Sequence, residues 1–299
     1  MTLQQLKYAI TVAETGTITE AANRLYISQP SLTNAIHELE KEMNIVIFNR
    51  TNKGISLSKE GEDFLGYARQ VLEQASILED KYKENGGGKK QFCVSTQHYS
   101  FAVNAFVDLI KEYGQEEYDF SLRETQTYEI IEDVAHMRSE IGILFLNDFN
   151  ETVLRKILKT NDLEFHELFV AKPHVFISRK HPLADRQVIT NQELEEYPYL
   201  SFEQGEHNSF YFSEEIFSTS ERKKNIRVRD RATLFNLLIG LNGYTVCSGV
   251  IDKKLNGKDI IAVPLQDEGD MRIGYITHRK AVPGRLAATY LEALRKYLG

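Results

Sequence analysis

The chain has 299 residues, 42% of them hydrophobic and 26% charged, with a formal net charge of −7. It shows no leader segment and no apolar run near the roughly 20 residues that span a bilayer, which predicts a soluble cytoplasmic protein with no membrane partner. Two cysteines, Cys93 and Cys247, are too few for a disulfide scaffold and wrongly spaced for zinc, and the eight histidines show no HxxxH or HExxH spacing, so no metal or resident cofactor is expected.

Leu3, Leu6, Ile10 and Ala13 recur at helical spacing and Gly16 is a natural stop, so the chain opens on a helix. Thr17 and Glu20 predict a capping box for a second helix, each side chain bonding the other's backbone N–H. Ala21 and Ala22 let a neighbouring helix come close. Ser28 is an N-cap for a third helix, and Pro30 falls in its first turn, where a missing N–H costs nothing. At about 100° per residue, Leu32, Ala35, Ile36, Leu39 and Met43 share one face, and Pro30, Asn34, His37 and Lys41 the opposite one. The apolar face docks. The polar face suits a major groove that admits one helix: Gln29 and Asn34 toward adenine, Ser28, Ser31 and Thr33 toward phosphate or a thymine methyl. Taken alone, this pattern also fits the solvated face of any amphipathic helix.

Context favours the groove. Residues 45–58 show two strand-like runs around the turn Asn52-Lys53-Gly54, with Arg50 beside it. Three helices and this hairpin make residues 1–58 a winged helix-turn-helix DNA-binding domain, with Arg50 and Lys53 placed for backbone phosphate or the minor groove. Within it Lys7, Arg24, Lys41, Arg50 and Lys53 are offset by Glu14, Glu20, Glu38, Glu40 and Glu42. A near-neutral reading head binds DNA weakly, which predicts homodimers, and homotetramers beyond them, summing several contacts. The dimer follows from residues 59–85, a linker helix in which Phe64, Ala68, Val71, Ala75, Leu78 and Tyr82 trace a heptad seam. A stripe this short also fits a helix packing on its own domain. Residues 86–90, rich in glycine, read as a hinge.

Residues 91–299 alternate strand-like and helix-like runs in α/β fashion. Residues 92–96 predict a strand; Phe106, Leu109 and Ile110 a helix; YDFSLRET a strand; 128–137 a helix; and 140–146 a buried strand. An apolar run at 174–177, then KHPLA, PYLSF, a helix near 233–241 and strand signals around Val246, Ile260 and Ile273 follow, with a closing helix at 283–298.

The first sixty residues resemble the DNA-binding domain of the LysR-type bacterial transcriptional regulators. The resemblance rests on Leu6, Ala13, Ala21-Ala22, Leu25, Ser28-Gln29-Pro30-Ser31-Leu32, Ile36, Leu39-Glu40, Ile47-Phe48, Arg50 and the LSKEG of 57–61. It implies a double-stranded DNA operator approached by Gln29, Pro30, Ser31, Thr33 and Asn34, with Arg50 and Lys53 from the wing, and RNA polymerase as a further partner. Asn34 departs from the pattern, since many relatives carry Arg or Gln there. The remainder resembles, more loosely, the family's effector-binding region, which is shaped like a periplasmic binding protein. The residues are the strand-loop-helix at 92, EIGIL, KHPLA and GYTVCSG. That implies a two-lobed α/β effector domain, lobe I about 91–165 and 266–299, lobe II about 166–265.

Ligands in such sheets gather beyond the carboxyl ends of strands, where helix N-termini favour anions. Thr96, Gln97, His98 and Ser100, the strand end at Phe145, and Ser201, Phe202 and Glu203 are the candidates; turn and cap duty is their alternative role. The first set stands where family members bind carboxylate, sulfate or sugar-acid effectors. This implies a small anion as effector, or an amino acid whose amine meets Glu203. Cys93 and Cys247 read as two small buried residues; some family members respond to oxidants, which makes redox sensing the sharper alternative. No nucleophile elbow or phosphate loop is present, so no enzyme is expected. The function read here is a transcription factor switched by a small-molecule effector. The alternative is a solute-binding or enzymatic α/β domain whose first 85 residues serve only to oligomerise.

Overall fold

Caps set the first helices of the computed structural model, which describes residues 1–51, 54–82, 90–113, 117–251, 258–266, 269–281 and 283–297. α1 (Leu3–Thr15) starts at Thr2, whose hydroxyl accepts from Gln5 N while the Gln5 side chain accepts from Thr2 N; it stops at Gly16, which takes the left-handed φ of 71° that suits glycine. The complete capping box thus belongs to α1. α2 (Ile18–Arg24) is capped by the forward bond alone, from Glu20 N to the Thr17 hydroxyl at 3.2 Å. α3 (Gln29–Met43) starts at Ser28, which accepts from Ser31 N, with Pro30 in the first turn. Each such cap contributes roughly 1 kcal/mol. β1 (Phe48–Thr51) and β2 (Gly54–Leu57) pair antiparallel, and α4 (Lys59–Tyr82) follows.

Leu6, Ala9 and Val12 of α1, Ala21 and Ala22 of α2, and Leu32, Ile36 and Leu39 of α3 form one core with Ile47, Phe48 and Leu65. Two stripe residues depart from expectation. Leu3 and Met43 are exposed, because each lies at a helix end, beyond the reach of the partner helices. Glu40 pins the strand to α3, its carboxylate accepting from Ile47 N at 2.8 Å and Phe48 N at 3.0 Å. Gly61 lets α4 approach this strand: an added Cβ would stand 2.2 Å from the Ile47 carbonyl oxygen. Gly61→Ala is therefore expected to destabilise the first unit by about 2 kcal/mol or more, in line with overpacked sites, read as a lowered melting temperature. An unchanged melt would remove this close approach as a constraint.

The chain divides into two compact units, the first spanning Met1–Gly88 and the second most of Lys89–Gly299. In chain order the second holds β3 (Lys90–Thr96), α5 (Ser100–Tyr113), β4 (Tyr118–Glu124), α6 (Thr127–Ala135), β5 (Ile141–Leu146), α7 (Glu151–Thr160), β6 (Leu163–Ala171), β7 (His174–Ser178), α8 (Asn191–Leu194), β8 (Tyr199–Phe202), β9 (Asn225–Val228), α9 (Arg231–Leu241), β10 (Thr245–Cys247), β11 (Ile260–Pro264), β12 (Met271–His278) and α10 (Arg285–Arg295). Lobe I is the five-stranded sheet β4-β3-β5-β12-β6, in which β3 runs parallel to β4 and β5 while β12 is antiparallel to β5 and β6. Lobe II holds the antiparallel sheet β10-β7-β11 and the parallel pair β8-β9, joined by a bridge between Tyr199 and Tyr244.

His166 lies inside β6, opposite Tyr275, so the chain leaves lobe I at Lys172 and Pro173 rather than near His166. It returns between Leu265, still bridged to Ile189 in lobe II, and Met271. α7, β6, α8 and β9 add to the elements expected from sequence. Among the described residues no helix is long and apolar enough to cross a membrane.

Candidate functional site

The exposed side of α3 is a polar, hydrogen-bonding surface. Ser28, Gln29, Pro30, Ser31, Asn34 and His37 are exposed and Thr33 is half-buried, while Leu32, Ile36 and Leu39 face the core. Internal bonds order the leading turn: the Ser28 and Ser31 hydroxyls lie 2.7 Å apart, Thr19 donates to Gln29 Oε1 at 3.3 Å, and the Thr33 hydroxyl donates to the Gln29 carbonyl at 2.9 Å. Asn34 and His37 project one and two turns further along. β1 places Arg50 opposite Ile55 in the wing, whereas Lys53 lies outside the described residues. Sequence reading missed Tyr26, which is 95% exposed at the turn between α2 and α3 with a φ of 54°. An aromatic residue in a tight interhelical turn, where it has little to pack on, was the available signal.

The heptad seam of α4 divides. Phe64 packs on the first unit's own core and so serves the domain itself, and Ala68 is buried. Val71 and Leu78 are 40% and 61% exposed, Ala75 is half-buried, and the Tyr82 side chain lies outside the described set. Tyr67, four residues before Val71, extends the exposed row.

In the second unit a cavity of about 50 Å³ lies between the lobes. His98 and Ser100, at the start of α5, face Phe202 of β8, Arg231 of α9 and Thr245 of β10 across it, with Glu214 and Glu215 entering from the long connection between β8 and β9. That connection, residues 203–224 with a single 3₁₀ turn at Phe210–Phe212, reaches from lobe II onto lobe I. Gln204 accepts from Thr127 N at 3.0 Å, the His207 ring stacks on Tyr128 at 3.5 Å, and Tyr211 stacks on Phe149 at 4.8 Å. Arg231 pairs with Glu124 of lobe I at 3.0 Å.

His98 is the hub. Its ring stacks on Phe202 with centroids 3.7 Å apart, its backbone N–H donates to Glu214 Oε2 at 2.9 Å, and its Nδ1 lies 2.8 Å from the same oxygen. Nε2 lies 3.2 Å from the Arg229 carbonyl. Both ring nitrogens face acceptors, an arrangement fully satisfied only by imidazolium. Burial alone would lower the His98 pKa; the charge and hydrogen bond of Glu214 outweigh it and raise the group above its ordinary value. Burial, with the Glu214 carboxylate alongside, pushes Glu215 up to about 8, so this neighbour is a neutral acid at pH 7, its Oε1 accepting from Phe202 N at 2.8 Å. Burial also raises Glu124, which Arg231 partly offsets.

Of the residues expected at the effector site, the structure brings His98, Ser100 and Phe202 to the cavity. The other five lie outside its lining. Thr96 bonds the Gln97 carbonyl at 2.8 Å, and Gln97 is spent on Thr127, Tyr99 and Phe145 N. The Phe145 ring sits in the core, Ser201 is held within β8, and Glu203 is ion-paired with Arg229. Glu214, Glu215, Arg231 and Thr245 were missed, although the acidic pair inside SFYFSEEIF was an anomaly worth reading. Both thiols are half-buried rather than fully buried. Burial raises each pKa, with Cys93 3.1 Å from the Ser139 hydroxyl, so neither has the depressed value of a reactive thiolate. Among the described residues no cluster of metal-ligating side chains forms.

A winged helix-turn-helix followed by a two-lobed α/β unit with an interlobe cavity, its apolar walls set with a few polar groups, defines a DNA-reading domain coupled to a ligand-binding one. Residues 3–62 match the bacterial regulatory helix-turn-helix protein, lysR family, and residues 92–299 match the LysR substrate binding domain, so the chain belongs to the LysR family of transcriptional regulators. It is 46% identical to the HTH-type transcriptional regulator ClcR of Pseudomonas putida over 77 residues, 26% of each chain, and TcbR of Pseudomonas sp. is likewise matched over only 30% of its length. YbhD of Escherichia coli, an uncharacterized HTH-type transcriptional regulator, is 24% identical over 98% of this chain and 90% of its own. Among solved structures, a full-length OxyR variant from Pseudomonas aeruginosa superposes with a TM-score of 0.69 at 19% identity, covering 99% of this chain and 95% of that one. The LysR family regulator CbnR gives 0.58 at 19% identity over the full length of both. These structural likenesses concern the fold.

Proposed function

We propose that the protein is an operator-binding transcriptional regulator whose second unit binds a small anion between its lobes. Binding there changes the lobes' closure and through it the spacing of paired DNA-reading heads. The observation that carries the reading is the pairing, in one chain of this family, of an exposed polar α3 with a cavity at which the His98 N–H and ring already hold a carboxylate. An amino acid as effector loses the support expected from Glu203, because Arg229 holds that carboxylate outside the cavity. The assembly that places two heads on one operator is a homodimer through the exposed part of α4, with tetramers and RNA polymerase as further partners.

The test is a gel shift on the intergenic DNA upstream of the protein's own gene. The Gln29→Ala, Asn34→Ala double variant is expected to weaken binding by about 3 kcal/mol, more than a 100-fold loss, since each bidentate base contact discriminates by roughly 1–3 kcal/mol. Its oligomeric state should be unchanged. Failure of the wild-type chain to shift that DNA at any salt concentration would instead favour a solute-binding domain with an oligomerising N-terminus.

A further inference from the structure

The cavity between the lobes already holds a carboxylate, and it is the protein's own. Glu214 comes from lobe II, yet its Oε2 accepts from His98 N at 2.9 Å and lies 2.8 Å from His98 Nδ1, while Oε1 accepts from Gln204 Nε2 at 3.2 Å. A backbone N–H before a helix, an imidazole ring nitrogen and an amide donor converging on one carboxylate form the bonding pattern of an anion site. The Glu214 side chain is 5% exposed, so this is a seated group and not a surface ion pair.

The seat is also incomplete. The Thr245 hydroxyl, on a residue 4% exposed, and Arg231 Nη1 are buried without a hydrogen-bond partner, and both residues line the same cavity. Two polar groups left unmade beside a carboxylate are costly unless another occupant completes them. At about 50 Å³ the cavity holds little more than water while Glu214 remains in place.

Resting on the reading of this cavity as the effector site, we propose that Glu214 is a tethered stand-in for the effector's carboxylate, and that the effector is a compact carboxylate which displaces Glu214 from His98. The incoming ligand inherits the His98 and Gln204 donors and gains Thr245 and Arg231. Displacement frees residues 203–224 from one of their holds on lobe I, so occupancy is read out as a change in how the lobes are joined. The tethered competitor acts at an effective concentration of order millimolar, which sets a floor on the ligand level that triggers the switch.

Acetate, which replaces the atoms removed by Glu214→Ala, is the probe, and full-length protein is the material. The E214A variant is expected to melt below wild type and to recover saturably with acetate but not with equal chloride, binding acetate at least tenfold more tightly than wild type does. A folded E214A that ignores acetate, or equal acetate binding by both proteins, overturns the proposal. Should E214A not fold, E214Q keeps the side-chain volume. There the NMR titration midpoint of His98 should fall relative to wild type and rise again with acetate; a midpoint that acetate does not move also overturns it. Operator binding is scored on the same samples. Lost acetate rescue with operator binding intact sinks the stand-in alone, whereas a wild-type protein that never shifts its operator sinks the regulator reading and leaves the acetate result standing.

Discussion

Changing Val71 and Leu78 together to Glu is expected to render the protein monomeric and to lower its operator affinity at least about 100-fold, the lower end of what tethering two binding modules supplies. Charge is the first reason. Residues 1–58 carry five basic and five acidic side chains, and one of the cations, Arg24, is paired with Glu14 at 3.1 Å. Phosphate neutralisation by one head is therefore slight, and a second head held in register must supply what it lacks. α4 is the element able to hold it. Its first turns are committed to the first unit through Phe64 and Leu65, but beyond them Val71 and Leu78 stay exposed at heptad spacing. Two carboxylates there would meet two more across a symmetric seam and repel, without touching the core that folds the reading head. Sedimentation velocity and gel shifts over a salt series provide the check. A double variant that sediments like wild type places the dimer elsewhere; a monomer with undiminished affinity removes the need for paired heads.

The parts legible in the sequence were those fixed within a few residues. Gly16, Thr17, Ser28 and Pro30 each mark a helix end by a bond or a missing bond in their own turn, so the reading head emerged nearly whole. The assignment of the capping box was the exception: Gln5 completes it with Thr2, and Gln was available at that position from sequence. β5, buried along its whole length, announced itself as an unbroken apolar run. β6 did not, because it is an edge strand without regular alternation of buried and exposed residues, and α7 before it buries only Leu154 and Leu158. β9 has a single strand neighbour, β8, and so little burial to pattern it. The cavity was half legible. The strand-end rule reached His98, Ser100 and Phe202, since these follow or end strands. It could not reach Glu214, which meets His98 from 116 positions away across a connection with almost no regular structure. Nor could it tell that Gln97 is absorbed by internal bonds while its neighbour faces the cavity.

Glu215→Gln is expected to stabilise the second unit above neutral pH and to have little effect near pH 5. In the folded chain Glu215 is buried beside Glu214 and titrates near 8, whereas its ordinary value is 4.5. The folded state thus keeps a proton that the unfolded state releases. Stability falls with pH wherever the native state binds more protons, so the penalty grows from about pH 4.5 to about pH 8 and is constant above it. At pH 8 it amounts to something on the order of 4 kcal/mol. The substituted amide would not titrate, and its oxygen can still accept from Phe202 N, the bond Glu215 makes at 2.8 Å. Denaturation of wild type and E215Q at pH 5, 6, 7 and 8 reads out Glu215 together with its coupling to Glu214 and His98, because titrations of groups not coupled to it cancel in the difference. The gain should widen steadily with pH. A difference that stays flat across that range would mean that Glu215 ionises in place, and that the acid beside the effector seat is charged rather than neutral.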